Sequence, residues 1–436
     1  MRTVIAIIDT VAFVLFGAPV IVMISLIMAA TSLSGKKRRA SRKAMTRFSF
    51  VVADLISEER SALKEEVLLG DYILRDYSVY LDYNNPFDRF ENVDDRIYIH
   101  SIAAHPDGGL YKAGFCRVNM LVIELKALFT AFSAIYKARA DFVKAHDPHI
   151  LGLNGLVAGR LFRLPLVLHM NSDFDMKYAG TGRTSSPLFI SRSMERLFEA
   201  FIMNSCDLIM ADRNFYKTSR HFPKRCLGKY NAFGVRVAGR HYSEPSSRKD
   251  LKSGLGLEGK KILLYVGRLH PVKYPEDAIK AFSFIKKGLP ESALLMVGAG
   301  VLRKRLEEMA VKSHIGRDVL FLGARRGDEL PDIFYTADLL LAPHGGVTLL
   351  EAALASTPMV AYDFDWHPEF VEDARMGYLV PFRDTAKMAE RALEILGDEK
   401  RMEDMGAYCR KTALAAYSRD ASMANERRIY DMLVRR

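Results

Sequence analysis

The chain has 436 residues, 49% of them hydrophobic, which makes it too long for one ordinary domain and too apolar for a disordered one. Its 63 basic against 52 acidic residues leave a net charge of +11, which points to an anionic partner: nucleic acid, an anionic membrane surface or an anionic substrate. Much of that excess sits in one run, KKRRASRK at 36–43, which favours a membrane, and no nucleic-acid recognition motif accompanies it. The four cysteines, Cys116, Cys206, Cys226 and Cys409, lack metal-ligand spacing and read as reduced structural thiols.

Residues 4–31 hold an apolar run after Asp9. At roughly 20 residues it is long enough to cross a bilayer core as a helix. It also exceeds the roughly 7–15 residues of a signal-peptide core, so a membrane anchor over 1–34 is expected. The basic segment 35–46 that follows resists translocation and keeps the body of the chain on the cytoplasmic side, as a single-pass membrane protein.

From Thr46 the pattern becomes α/β. FSFVVADL (48–55), YSVYLDY (77–83) and RIYIHSIAA (96–104) read as strands, and NNPFDRFENVDD between the last two as a polar loop. A long amphipathic stretch runs from Cys116 to about Ala145. HILGLNG (149–155) and LPLVLHMN (164–171) read as short apolar strands; the first leads into Gly155 and a short helix, the second ends on His169, Asn171 and Asp173. A helix over SRSMERLFEAFIMNS and the strand CDLIMAD complete a first domain over 47–235. Gly, Ser, Pro and charge dominate 236–260, the expected linker.

After it, β–α alternation restarts in a domain over 261–436. Its strands are KILLYVG, ALLMVGAG, VLFLGA, DLLLAP, PMVAYDF and GYLVPF, with helical patterns between them and helices from Lys387 to the end. Strands alternating with helices imply parallel pairing and right-handed crossovers. Two stretches carry the chemistry. KILLYVGRLHPVK runs from a strand through Gly267 to Arg268 and Lys273, and DLLLAPHGGVTLLE from a strand through His344, Gly345 and Gly346 into a helix bearing Glu351. Two cations at a strand end beside a helix start suit a diphosphate. Thr348 and Glu351 also have the spacing of a capping box, a structural use that competes with ligand binding by Glu351. The Asp363–Asp365 pair reads as a strand-end loop rather than a metal motif, and Trp366 and His367 as neighbours of the donor site.

YVGRLHPVKYPEDAIKAF, LLMVGAG, VLFLGARRGDELPDIFYTADLLLAP, LLEAALASTPMVAYD and GYLVPFRD together resemble the nucleotide-sugar-binding domain of family 4 glycosyltransferases. The first half resembles the family more loosely, through LPLVLHMNSDFD, CDLIMAD and YNAFGV. The resemblance implies a GT-B-like fold of two Rossmann-like domains. It also implies a retaining, metal-independent transfer from a UDP- or GDP-sugar to a glycan or lipid-linked saccharide, with no cofactor. Arg268 and Lys273 fall on the family's diphosphate-binding cations, Glu351 on its ribose carboxylate and Arg325 and Arg326 near the base; His169 falls where a histidine approaches the donor sugar. His344, Gly345, Gly346, Thr348 and Leu349 complete the expected donor site, and Asn171 and Asp173 are expected to face the acceptor. One departure stands out: the family's second Glu, eight positions before Glu351, is replaced by Pro343. Two other functions fit the same pattern, a non-catalytic GT-B-like subunit of a glycan-assembly complex and a nucleotide-sugar epimerase or hydrolase of GT-B type.

Overall fold

A computed structural model of the chain describes residues 45–52, 73–82, 88–94, 97–103, 113, 115–170, 174–175, 178, 182–186, 188–232, 251–325, 329–417 and 419–435. The expected anchor and its basic collar lie outside these residues, as do Asn171, Asp173 and Arg326. The described residues form two units, one from Met1–Phe233 with Met423–Arg436 and one from Gly234–Ser422.

The first unit is built on an eight-stranded sheet of order β3-β4-β2-β1-β5-β6-β7-β8. Its strands are β1 (Met45–Val52), β2 (Ile73–Asp82), β3 (Arg89–Asp94), β4 (Ile97–Ala103), β5 (Phe142–Ala145), β6 (Leu166–Met170), β7 (Leu208–Ala211) and β8 (Tyr230–Ala232). All pairs are parallel except β3 with β4. Alternate residues point to opposite faces, so the apolar runs bury two layers. Phe48, Phe50, Val143, Ala145, Leu166, Leu168, Ile209 and Ala211 join the core formed with helices α1 (Cys116–Ala138), α2 (Ile150–Phe162) and α3 (Arg192–Ser205). Phe142, Val167, Leu208 and Met210, one position out of phase, pack instead against Ile429, Tyr430 and Leu433 of the last helix, Arg419–Arg435.

Three expectations change here. The stretch 149–155 is not a strand: it opens α2, and the strand is the preceding FVKA of β5. The apolar run concealed a buried helix whose glycines, poor helix formers, permit close packing. A Cβ on Gly155 would stand 2.9 Å from Leu166 Cδ1 and 3.1 Å from Ala145 Cβ. The polar segment 84–95 is not all loop, since β3 pairs antiparallel along the sheet edge, where ladder hydrogen bonds outweigh weak strand propensity. Finally, the last helix completes the first unit, so 261–436 is not one structural unit, and the expected linker already carries the helical turn Leu251–Gly254 and the buried Leu257 of the second. Helix α1 is long and apolar enough to cross a membrane, yet one face of it lies in the first unit's core.

The second unit has a six-stranded parallel sheet of order β11-β10-β9-β12-β13-β14. The strands are β9 (Lys261–Val266), β10 (Ser292–Val297), β11 (Val319–Gly323), β12 (Leu339–Ala342), β13 (Met359–Tyr362) and β14 (Gly377–Val380), each where the sequence predicts one. Between them run α4 (Pro275–Gly288), α5 (Arg303–Lys312), α6 (Glu329–Thr336), α7 (Thr348–Leu354) and the short α8 (His367–Phe370). Helices α9 (Thr385–Leu396) and α10 (Glu399–Tyr417) follow. From β9 the chain progresses outward to β10 and β11, then returns to β12 and progresses the other way. The order therefore reverses between β9 and β12, which opens a crevice at their carboxyl ends.

Candidate active site

The two stretches singled out in the sequence leave β9 and β12, the strands that flank this reversal. The β9 loop is clamped by its neighbour: Gly267 N donates to Val297 O at 3.0 Å and Leu269 N to Ala299 O at 2.9 Å. So close an approach needs glycine. A Cβ on Gly298 (φ +144°) would lie 1.9 Å from Gly267 O, and one on Gly300 (φ +156°) 2.4 Å from Leu269 O. The buried Tyr265 hydroxyl then closes the turn, donating within 3.3 Å of both Arg268 O and Lys273 O. This frame presents Arg268 to solvent and leaves Lys273 half-buried.

Hydrogen bonds through Lys273 and His344 join this turn to the β12 loop, and another ties that loop to Asp365 beyond β13. Lys273 Nζ donates to His344 O at 3.4 Å, and the His344 ring meets Val272 O through Nδ1 at 2.6 Å and Asp365 Oδ2 through Nε2 at 3.1 Å. Both ring nitrogens thus face oxygen partners. Gly345 O accepts from Trp366 Nε1 at 3.1 Å and lies 3.2 Å from His367 Nε2. Burial pushes the His367 imidazole down to about 4, which keeps it neutral at neutral pH. Trp366 and His367 are therefore buried supports of the glycine turn rather than open neighbours of a donor.

The glycines divide the work. A Cβ on Gly345 would run 2.7 Å from Leu349 Cγ, whereas one on Gly346 meets nothing within 4 Å, so the backbone at Gly346 is open to an approaching group. The capping box that the spacing allows does not form: Val347 is the N-cap, and Thr348 Oγ1 accepts from Gly346 N at 3.3 Å. That removes the structural use of Glu351 suggested by spacing. Leu349 is fully buried, so its side chain cannot line the site, and its N–H donates to Gly346 O at 3.3 Å. Arg325 lies two residues beyond the edge strand β11, donating to Leu322 O at 3.0 Å and to Glu329 at 2.9 Å, without a contact to the Lys273–His344 group. Sequence reasoning missed a second layer, in which buried Asp277 accepts from Tyr362 at 3.1 Å and pairs with Arg383 at 2.8 Å. Asp277 stands two residues after Pro275 in the first turn of α4, and that position was the available signal.

In the first unit His169 Nε2 lies 2.9 Å from Asp212 Oδ1, and the His146 ring stands 4.8 Å away. The three come from the carboxyl ends of β6, β7 and β5. His149, Glu195 and Glu199 bring potential metal ligands within 4.8 Å of one another. Arg192 already occupies that centre, donating to Glu195 Oε2 at 2.7 Å and to both oxygens of Glu199, so the charge there is compensated internally. Burial pushes the Asp175 carboxyl up, but hydrogen bonds from Arg196 and Arg192 outweigh it and hold it below the usual range. Glu124, fully buried beside α2, is pushed up to about 8 by burial despite an Asn154 Nδ2 donor at 2.9 Å.

Residues 247–412 match the family model "Glycosyl transferases group 1". N-acetyl-alpha-D-glucosaminyl L-malate synthase of Bacillus anthracis is 28% identical over 185 residues, covering 41% of this chain and 48% of that protein. D-inositol 3-phosphate glycosyltransferase of Nocardia farcinica is 30% identical over 280 residues, 61% of either chain. The chain thus spans about half to three-fifths of the length of these curated relatives. Among solved structures, Anabaena HepE in complex with UDP and glucose superimposes with a TM-score of 0.66 at 15% identity, over 89% of this chain and 99% of that one, a likeness of fold. The chain has a GT-B-like fold of two largely parallel α/β sheets, and its residues 247–412 match the group 1 glycosyl transferase model.

Proposed function

We propose that this chain is a glycosyltransferase that moves a sugar from a nucleoside-diphosphate sugar to a glycan or lipid-linked saccharide, with retention and without a metal. The observation that carries the reading is the apposition, at the strand-order reversal of the group 1 segment, of the Arg268–Lys273 turn and the open Gly346 backbone. Cleavage of a donor builds negative charge on the departing diphosphate. In this reading Arg268 and Lys273 stabilise that charge, and the Gly345–Gly346 turn lets phosphate or sugar come close. Glu351 accepts the ribose hydroxyls, and Arg325 borders the base. His169, Asn171 and Asp173 serve the sugar and acceptor from the first unit. The apolar run and basic collar at the start of the sequence tether this chemistry to the cytoplasmic face of a membrane, near lipid-linked acceptors.

The test is transfer from UDP- and GDP-sugars by purified protein in chelator, with Arg268→Ala and Lys273→Ala beside it. Unchanged activity in both variants sinks the site assignment. A second reading, a non-catalytic subunit, draws on Pro343 in the place of the family's Glu. Calorimetry with UDP and GDP separates the two, since a purely structural subunit need bind neither.

A further inference from the structure

Helix α1 buries Met120, Ile123, Ala127, Leu128, Ala131, Ala134 and Ile135 in the first unit's core, yet its outer face is apolar too. Tyr136 is 77% and Phe129 67% exposed, seven residues apart and therefore in one stripe, and Leu161 near the end of α2 is 60% exposed. The Phe132 and Phe162 rings, 5.9 Å apart, join the two helices at this end. Lys137, Arg139 and Arg163 are exposed beside them, with Asp141 the acidic residue that follows. Singly exposed apolar side chains are ordinary; three large ones rimmed by cations at one end of a unit mark an interaction surface.

The register shows where that end lies. Arg47 of β1 pairs with Phe142 of β5, the first residues after the α1 turn, and Val143 pairs with Leu166, the start of β6 after α2. The carboxyl ends of α1 and α2 therefore lie at the end of the sheet where the chain enters β1 at Met45, on the β5 and β6 side of it. Between the expected anchor, 1–34, and Met45 there are about ten residues, roughly 35 Å of chain even when fully extended. A body tethered that closely carries this edge to the membrane surface.

We propose that the edge formed by Phe129, Tyr136, Leu161, Lys137, Arg139 and Arg163 is a second membrane contact that docks on an anionic lipid surface. It rests on the anchored reading above. The rings and Leu161 enter the interfacial zone, where aromatic side chains partition well, and the three cations meet headgroup phosphates. The contact fixes the orientation of the first unit to the bilayer, which an anchor alone leaves free.

The experiment uses the full chain reconstituted into vesicles of phosphatidylglycerol and phosphatidylcholine, with brominated lipid as quencher. The one native tryptophan, Trp366, is buried and serves as background. Phe129→Trp and Tyr136→Trp are compared with Leu197→Trp on α3, an equally exposed position at 75%. The expected result is blue-shifted emission at 129 and 136 with at least twofold stronger quenching than at 197, weakened in vesicles of phosphatidylcholine alone. If the chain floats with vesicles but 129 and 136 quench no more than 197, the docking surface is wrong and the anchor stands. Failure to float with vesicles overturns both. A blue shift that grows with protein concentration in detergent, without lipid quenching, assigns the face to a second copy of the chain and overturns the lipid assignment.

Discussion

Lys144 Nζ lies 3.8 Å from Glu426 Oε1, with Lys144 1% and Glu426 0% exposed. Glu426 also stands 3.9 Å from Arg47 and accepts from the Tyr430 hydroxyl at 2.6 Å. One carboxylate of the last helix thus meets two buried cations under the first sheet. Removing one partner of a buried pair costs about 3–5 kcal/mol, because the charge left behind stays desolvated. Glu426→Ala is expected to lower stability by that order, measured by urea unfolding of the first unit's signal. Glu426→Ala with Lys144→Met should recover part of the loss.

The His344 ring connects the Lys273 turn to Asp365. Asp365→Asn weakens the charge-assisted bond that orients the ring, and His344→Ala removes the bridge altogether. Nucleoside-diphosphate affinity is expected to fall several-fold in the first and about tenfold or more in the second, since charge-assisted bonds are worth roughly 1.5–3 kcal/mol. Calorimetry with UDP and GDP reads it, and circular dichroism checks the fold.

The two glycines of the β12 loop should respond oppositely. Gly345→Ala forces a Cβ against Leu349 Cγ, at 2.7 Å, and is expected to cost about 1–3 kcal/mol of stability. Gly346→Ala meets nothing within 4 Å, so the melting temperature should hold while nucleotide-sugar affinity drops. Equal donor affinity in Gly346→Ala and wild type would show that no ligand approaches there.

Glu124 and His367 give the units opposite pH dependences. Glu124 keeps its proton up to about 8 when folded, against 4.5 in the unfolded chain, so stability is highest below 4.5 and falls as pH rises to about 8. His367 binds a proton only near 4 when folded, against 6.5 unfolded, so its contribution is complete above 6.5 and lost as pH falls toward 4. Each slope is at most about 1.4 kcal/mol per pH unit. Glu124→Gln should flatten the loss between pH 5 and 8 and leave the protein more stable than wild type at pH 8, by chemical denaturation across pH.

The sequence by itself determined the alternation of strands and helices in the second unit and singled out the two loops of the candidate site. Apolar runs of strand length between capped helical patterns leave few alternatives, and a Gly-Arg or Gly-Gly step at a strand end announces a close approach. It did not separate a buried helix from a buried strand at 149–155, because both are continuously apolar. It also left a capping box open at Thr348–Glu351 as a rival use of Glu351, because the spacing alone does not say that Val347 takes the N-cap. Tertiary structure alone decided which strands adjoin. Only the order β11-β10-β9-β12-β13-β14 puts Lys273 beside His344, 71 residues apart, and only sheet pairing brings the last helix under Arg47 and Lys144. Those contacts are non-local, set by the crossing of whole elements, and no local pattern of residues encodes them.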